Sequence, residues 1–470
     1  MNAALRKEAR LLLPAWIAAL AASTLPVWVV RPGFFQGMVA ESLILFAAGA
    51  LLLSLSSFGM EMSFGTFPSL LAQPRPRLET WQLKIGLLAL AMATVTVVAS
   101  FSWWLRGHVL IGIRCLPLLA VLAFAGGLWT TLLFRQTVTA FWFAILVPVL
   151  LYRAAWPMTV RIPDDGFAIA SLLTCCYAVA GYFLARWLFL HAQDMQEQET
   201  TDSAAWSFMP SFPTPRRPLA ALLVKELRLQ QGTLVIAVVL VVLHLAAVAA
   251  AEYFPRAMAG LYSLLPGIWM LWWVAPWLSG CAAVAEERRG RTLESTLCLP
   301  VGRLRQFVIK TLVVFGLGLF LGAVMPWLLE MLRPVAQRNF GPVANLSLRG
   351  LLITAASLAA IGCYASSLSG TLLQALGATL VFGVLLPVTI NWAGFAFGLY
   401  WPVLIAISIC LSYANFKQLQ ITWRQWLRNG AIWFAAIFTM KILMVIMGII
   451  FDWVHNGWPL WKATINERIR

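Results

Sequence analysis

Residues 286–310 read EERRGRTLESTLCLPVGRLRQFVIK. Nine charged side chains crowd into this stretch, in a chain that is 61% hydrophobic and only 11% charged. Apolar runs flank it on both sides. Soluble domains carry roughly 45–50% apolar residues, so the surroundings of this stretch define the class of the chain.

Runs of about 18–22 apolar residues recur along the sequence, long enough at 1.5 Å per residue to cross a hydrocarbon core of about 30 Å. Backbone groups in lipid must find partners within their own segment, so the runs predict helices. The expected fold is all-α: a polytopic integral membrane protein of about 12 transmembrane helices in two six-helix repeats, with one possible extra C-terminal span. The first six run over Leu12–Val30, Ala40–Phe58, Ile85–Leu105, Leu116–Phe134, Val138–Trp156 and Phe167–Leu190. The second six run over Thr233–Glu252, Tyr262–Val284, Thr311–Glu330, Gly350–Ser369, Thr371–Ile390 and Leu399–Asn415. A thirteenth candidate, Ala431–Phe451, carries Lys441 near its middle. The expected organisation is a first transmembrane half over 1–190, a cytoplasmic linker over 191–222, a second half over 223–415 and an extension over 416–470.

Basic residues favour the cytoplasmic side. With the N-terminus inside, 21 of the 34 Lys and Arg fall on that side and 12 outside, Lys441 being the last. The net charge of +16 then reads as a topology signal. Nucleic-acid binding does not fit, since no basic face exists on a soluble module. The expected location is the inner (plasma) membrane, multi-pass, with the N-terminus cytoplasmic. The side of the C-terminus stays open.

The start, RKEARLLLPAWIAALAAS from Arg6, has the basic head and Ala-x-Ala site of a signal peptide. Its apolar run continues to Val30, however, and a similar start, VKELRLQQGTLVIAVVL, recurs at Val224. Both read as amphipathic connecting helices lying at the membrane surface and turning into a span, with Lys7, Glu8 and Arg10 in the first and Lys225, Glu226 and Arg228 in the second. The seven cysteines show no CxxC spacing, so neither a disulfide framework nor a metal site is expected. The linker opens acidic with Asp194, Glu197, Glu199 and Asp202 and closes on the proline-rich PSFPTPRRP, an extended tether.

The charged stretch has an earlier counterpart. Shifted without gaps by 226 residues, Glu61 meets Glu287, Thr66 meets Thr292, Ser69 meets Ser295 and Leu71 meets Leu297. Pro74 then meets Pro300, Arg77 meets Arg303, Leu78 meets Leu304 and Lys84 meets Lys310. Eight identities in 24 positions compare with roughly two by chance, and paired positions of this kind mark repeated halves. Residues 286–299 predict one helix of about 14 residues and about 20 Å, stopped by Pro300. Leu293 and Leu297 share one face, Glu287 and Arg291 form a well-ordered i, i+4 pair on another, and Glu286 and Glu294 add charge. Residues 61–73 predict the same element with fewer charges. An exposed charged helix held at the end of two spans suits a soluble partner.

The pattern Glu-x4-Thr-x4-Leu-x2-Pro-x2-Arg-x6-Lys resembles the coupling loop of ABC-2-type ABC transporter permeases. EERRGRTLESTLCLPVGR is the closer match; EMSFGTFPSLLAQPRPR is degenerate and lacks the acidic residue after Thr. KELR also resembles the family's connecting helix. The resemblance implies six spans per half, a coupling helix on each, and an ATPase dimer docked beneath: two copies of a nucleotide-binding subunit carrying ATP and Mg. This chain would hold no cofactor and catalyse nothing itself. It has no Gly-Lys dipeptide and so no phosphate-cradling loop of the Walker type. LSGTLLQ at Leu368 is superficially like an ABC signature but lies between two apolar spans, and takes no nucleotide role.

Ionisable groups within spans are costly and often functional. His244 sits mid-span, where a hydrogen bond between helices is the expected role; Glu41, Glu252 and Asn391 fall near span ends. GFAFG at Gly394 fits a small-residue packing motif. Trp103, Trp104, Trp156, Trp272, Trp273, Trp458 and Trp461 read as interfacial belts. Three functions compete: an ABC permease exporting a hydrophobic or amphipathic substrate, an ion- or proton-coupled secondary transporter, and a lipid-active membrane enzyme. The last two lack, respectively, paired midplane charges in both halves and clustered acids or histidines, and the repeated loop favours the first. Its direction of transport rests on family analogy.

Overall fold

A computed structural model describes residues 3–29, 35–108, 111–161, 166–192, 218–253, 265–290, 292–298, 301–332, 348–393, 397–418 and 422–456. Every element among them is helical. The N-terminal half comprises α1 (Ala3–Val29), α2 (Phe35–Ser63), the short α3 (Phe67–Leu71), α4 (Arg77–Leu105), a π-helical turn (Ile111–Cys115), α5 (Leu116–Phe134), α6 (Thr137–Arg161) and α7 (Gly166–Leu190). The C-terminal half comprises α8 (Pro218–Leu229), α9 (Gln231–Tyr253), α10 (Leu265–Arg289), the short α11 (Thr292–Leu297) and α12 (Arg303–Leu319). A second π turn (Phe320–Val324) leads into α13 (Met325–Met331), followed by α14 (Leu348–Ser367), α15 (Leu372–Ala393), α16 (Phe397–Phe416) and α17 (Trp423–Asn456).

Each apolar run coincides with a helix, because a continuous apolar segment satisfies its backbone internally wherever it sits. Eight helices among the described residues are long and apolar enough to cross a membrane, and three shorter apolar ones accompany them. Large apolar side chains such as Ile17, Leu90, Val97, Leu172, Val238 and Leu312 stay exposed on the outer faces. Lipid tolerates that surface, and water would not. The class is therefore an α-helical membrane protein.

Lipid tails are as apolar as leucine, so association of such helices relies on close packing rather than on the hydrophobic effect. The α10–α14 crossing shows this. A Cβ on Gly280 would stand 2.5 Å from Ala359 O, and one on Gly362 would stand 2.7 Å from Trp277 O. In the N-terminal half α2 crosses α5 similarly, where a Cβ on Gly127 would lie 2.4 Å from Ser54 Oγ. Ser54 Oγ itself donates to Phe124 O at 2.8 Å. The halves meet where α15, itself packed on α10, lies against α1 and α2.

Three expectations need correction. The first connecting segment is not a separate surface helix, since α1 runs unbroken from Ala3 to Val29, whereas α8 is distinct from α9. Tryptophan is not confined to belts: Trp103 and Trp272 are fully buried, together with Trp81, Trp142 and Trp269, while Trp104 is exposed. The charged stretch is not one 14-residue helix. α10 continues through Glu286 to Arg289, the chain breaks at Gly290, and α11 is a separate six-residue piece. Likewise α2 ends at Ser63, Gly65 adopts φ +67° in the turn, and α3 follows. The left-handed turn at Gly65 redirects the chain, which a single helix over 61–73 cannot do. Residues 193–217 of the linker, Arg291, Pro300 and Gly394, with Trp458 and Trp461, lie outside the described residues, as do the side chains of Glu41, Trp156, Glu252, Leu297, Asn391 and Lys441, while the linker's last residues from Pro218 already belong to α8.

Candidate functional site

The two hairpins α2–α3–α4 and α10–α11–α12 share one plan. Thr66 Oγ1 donates to Glu61 O at 3.3 Å, and Thr292 Oγ1 donates to Glu287 O at 3.3 Å. These hydroxyls cap a carbonyl of the last turn of the long helix, which at Glu61 also accepts from the Thr66 backbone N–H at 2.9 Å. Both threonines are otherwise exposed.

Beneath each turn lies a buried cluster of charges. In the N-terminal half Lys84, 1% exposed, donates to Glu8 Oε2 at 2.6 Å and to Ser57 O at 3.4 Å. It also pairs with Glu61 Oε2 at 3.0 Å, and Lys7 reaches Glu61 Oε1 at 3.3 Å. In the C-terminal half Lys310, also 1% exposed, donates to Glu226 Oε1 and Oε2 at 2.9 and 2.7 Å and to Ala283 O at 2.8 Å. It pairs with Glu287 Oε2 at 3.0 Å, and Lys225 reaches Glu287 Oε1 at 2.5 Å. Lys225 additionally donates to Thr296 Oγ1 of α11. Four side chains and a backbone carbonyl thus recur in each half.

The clusters tie three elements together: α1, α2 and α4 in the N-terminal half, and α8, α10 and α12 in the C-terminal half. Their titration follows from burial and charge. Burial pushes the Glu226 carboxyl up, with Lys310 opposing. Burial acts on Glu287 in the same sense, but Lys310 and Lys225 outweigh it and hold Glu287 below the usual carboxylate range.

This placement revises the reading of the site residues. Glu61 and Glu287 are 1% and 0% exposed, so their carboxylates hold the hairpin to its span and do not face a partner. The Glu287–Arg291 pair is replaced by Glu287 with Lys225 and Lys310. Glu8 and Glu226 are buried with them, and Leu71 and Leu293 pack inward. The solvent-facing residues are Thr66, Pro74, Thr292, Glu294 and Arg303 on the hairpins, with Lys7, Arg10 and Arg228 on the connecting segments. Arg77 donates to Leu190 O at 2.6 Å, and Glu286 pairs with Arg289 at 3.2 Å.

Sequence reasoning matched Lys84 to Lys310 but left both out of the site. Their signal was a lysine at the mouth of an apolar run in identical register. Arg288 was missed as well. Its guanidinium donates to Ser367 O (2.6 Å), Ser369 O (3.3 Å), Asn415 O (3.3 Å) and Gln418 O (3.1 Å), closing the C-terminal ends of α14 and α16. Burial lowers its pKa to about 10. Arg289 crosses between the halves, donating through Nε to Ser63 O at 3.1 Å and through Nη2 to Met62 O at 3.3 Å.

A cavity of about 810 Å³ opens beside Arg288. Leu11, Pro14 and Ala18 of α1, Leu52 and Met60 of α2, Tyr364 of α14 and Leu373 and Gly377 of α15 line it, and Arg288 and Glu294 stand at its polar end. Both halves contribute, and the lining is mostly apolar.

Set against known protein families, curated proteins and solved structures, the chain matches none. The fold and the site therefore define a class, an α-helical membrane protein with two charged hairpins braced by buried ion clusters. Anything more particular rests on the geometry.

Proposed function

We propose that the chain is the membrane-spanning permease of an ATP-driven transporter of the ABC-2 type. In this reading two six-span halves are fused, and a hydrophobic or amphipathic substrate is exported through the inner (plasma) membrane, with the N-terminus cytoplasmic. ATP and Mg would be handled by two copies of a separate ATPase subunit.

The observation that carries this reading is the duplicated hairpin. Each is a knob fixed by a buried Glu–Lys–Glu cluster to the connecting helix and to two spans. A force applied to the exposed residues of such a knob is passed to the spans rather than absorbed by a loose loop. The cavity between the halves supplies apolar volume for a substrate, with polar groups at one end. An ion- or proton-coupled secondary transporter remains the alternative.

Two knobs on one chain predict one permease to two ATPase subunits. Each knob alone is small against the roughly 1,200–2,000 Å² of a stable interface, so docking draws on both. Mass measurement of the detergent-solubilised complex tests this. Reversing charge at exposed Glu294 and Arg303 together should release the ATPase, while Glu287→Gln should leave its docking surface chemically intact. A stable particle with no ATPase, or one with two permease chains per ATPase dimer, would overturn the reading.

A further inference from the structure

Away from the hairpin along the C-terminal helices, His244 of α9 and Glu330 of α13 face each other. Nε2 and Oε2 stand 3.8 Å apart, and both side chains are fully buried. His244 lies 13 residues beyond Gln231, or about 20 Å along α9, well inside the span. Trp272 of α10 donates its indole N–H to His244 Nδ1 at 3.4 Å, and Trp269 packs edge-on to the imidazole.

The indole fixes the tautomer. An indole nitrogen only donates, so Nδ1 is an unprotonated acceptor and the ring proton sits on Nε2, toward Glu330. A second proton can enter only at Nδ1, where it meets the Trp272 N–H head on. Binding it therefore breaks the link between α9 and α10 and converts the contact between α9 and α13 into an ion pair. Glu330 stands six residues beyond the π turn Phe320–Val324, near the end of α13.

The arrangement belongs to one half only. Shifts of 218 residues (the register that matches Lys7 to Lys225) and 226 residues put Pro26 opposite His244, and Trp104 and Phe46 opposite Glu330 and Trp272. Other charged groups on the packed helices, among the described residues, stand elsewhere. Lys225, Glu226 and Arg228 on α8, Glu286, Glu287, Arg288 and Arg289 on α10, and Arg303, Arg305 and Lys310 on α12 all lie at the hairpin end. Arg349 at the start of α14 is exposed, and the Tyr152 hydroxyl on α6 turns to Thr174 and Ala170 O.

We propose that His244, Trp272 and Glu330 form an intramembrane proton-binding site, in which one proton taken up at His244 Nδ1 hands the imidazole from Trp272 to Glu330. The inference stands apart from the transporter reading, because it needs no partner and no substrate.

The test uses the full chain in lipid nanodiscs with ¹⁵N-labelled histidine. Only four histidines exist, so the His244 signal is the one lost in His244→Gln. The expected native signal is a neutral Nε2–H tautomer that becomes doubly protonated on acidification. Glu330→Gln should require about tenfold more protons for half-conversion, since the acceptor of the ion pair is gone. Trp272→Phe should require fewer, because the opposing N–H is removed, and it keeps the test decisive if Glu330→Gln does not fold. A Nδ1–H tautomer would overturn the proposal. So would a His244 that never converts while the chain stays folded, or conversion at the same pH in all three proteins.

Discussion

Replacing Lys310 by methionine keeps the length and apolar body of the side chain and removes its charge. In the native chain that ammonium answers both Glu226 oxygens, Glu287 Oε2 and Ala283 O. Lys310→Met leaves two buried carboxylates side by side, compensated only by Lys225, whose side chain is 31% exposed. Removing one partner of a buried pair costs about 3–5 kcal/mol, mostly through the charge left behind. Replacing the whole set should cost much less. Lys310→Met combined with Glu226→Gln and Glu287→Gln strands no charge, and buried ion pairs exchanged for neutral groups are often near neutral in stability. The measurement is resistance to unfolding in a denaturing-detergent titration, with Lys84→Met as the parallel case for Glu8 and Glu61. The single substitution should be the least stable and the triple should recover most of the loss. A triple variant as unstable as Lys310→Met would refute the electrostatic argument and leave shape as the cause.

Acidification probes the same cluster. Because the folded value for Glu287 lies below its unfolded value of about 4.3, its contribution is complete above that pH and is lost as pH falls through the folded value. Glu287→Gln should flatten this acid limb in a pH series of the same titration. Gly280→Ala sets a methyl 2.5 Å from Ala359 O, backbone that cannot yield cheaply. It should weaken the α10–α14 crossing by about 1–3 kcal/mol, seen as a lower melting temperature, whereas Gly86→Ala, with open space around it, should not. Arg288→Gln loses most of its four carbonyl contacts. Hydrogen exchange should then speed up over 365–370 and 415–418 while the hairpin of α2 and α3 stays unchanged.

The helices were legible because an apolar run of membrane length has few other ways to satisfy its backbone. The register between Glu61 and Glu287, and between Lys84 and Lys310, was also visible. What those residues do was not. A glutamate in a charged stretch reads as solvated, and only the approach of α8 to α10 and α12 shows that Glu287 is enclosed. The break after Arg289 was missed because helical periodicity carries across a short turn. Glu330 passed as an ordinary span end until α9 set His244 beside it.

The bonds from Arg289 to Met62 and Ser63 have a consequence for how the molecule can be taken apart. The same 226-residue shift puts the acceptor Ser63 opposite the donor Arg289, so the two halves have unlike ends at one junction. An assembly of two C-terminal halves would bring two guanidinium groups to that junction, and one of two N-terminal halves would bring none. The junction as built therefore takes its donor from one half and its acceptors from the other. Split between Leu190 and Pro218 and co-expressed, its halves should find each other rather than themselves.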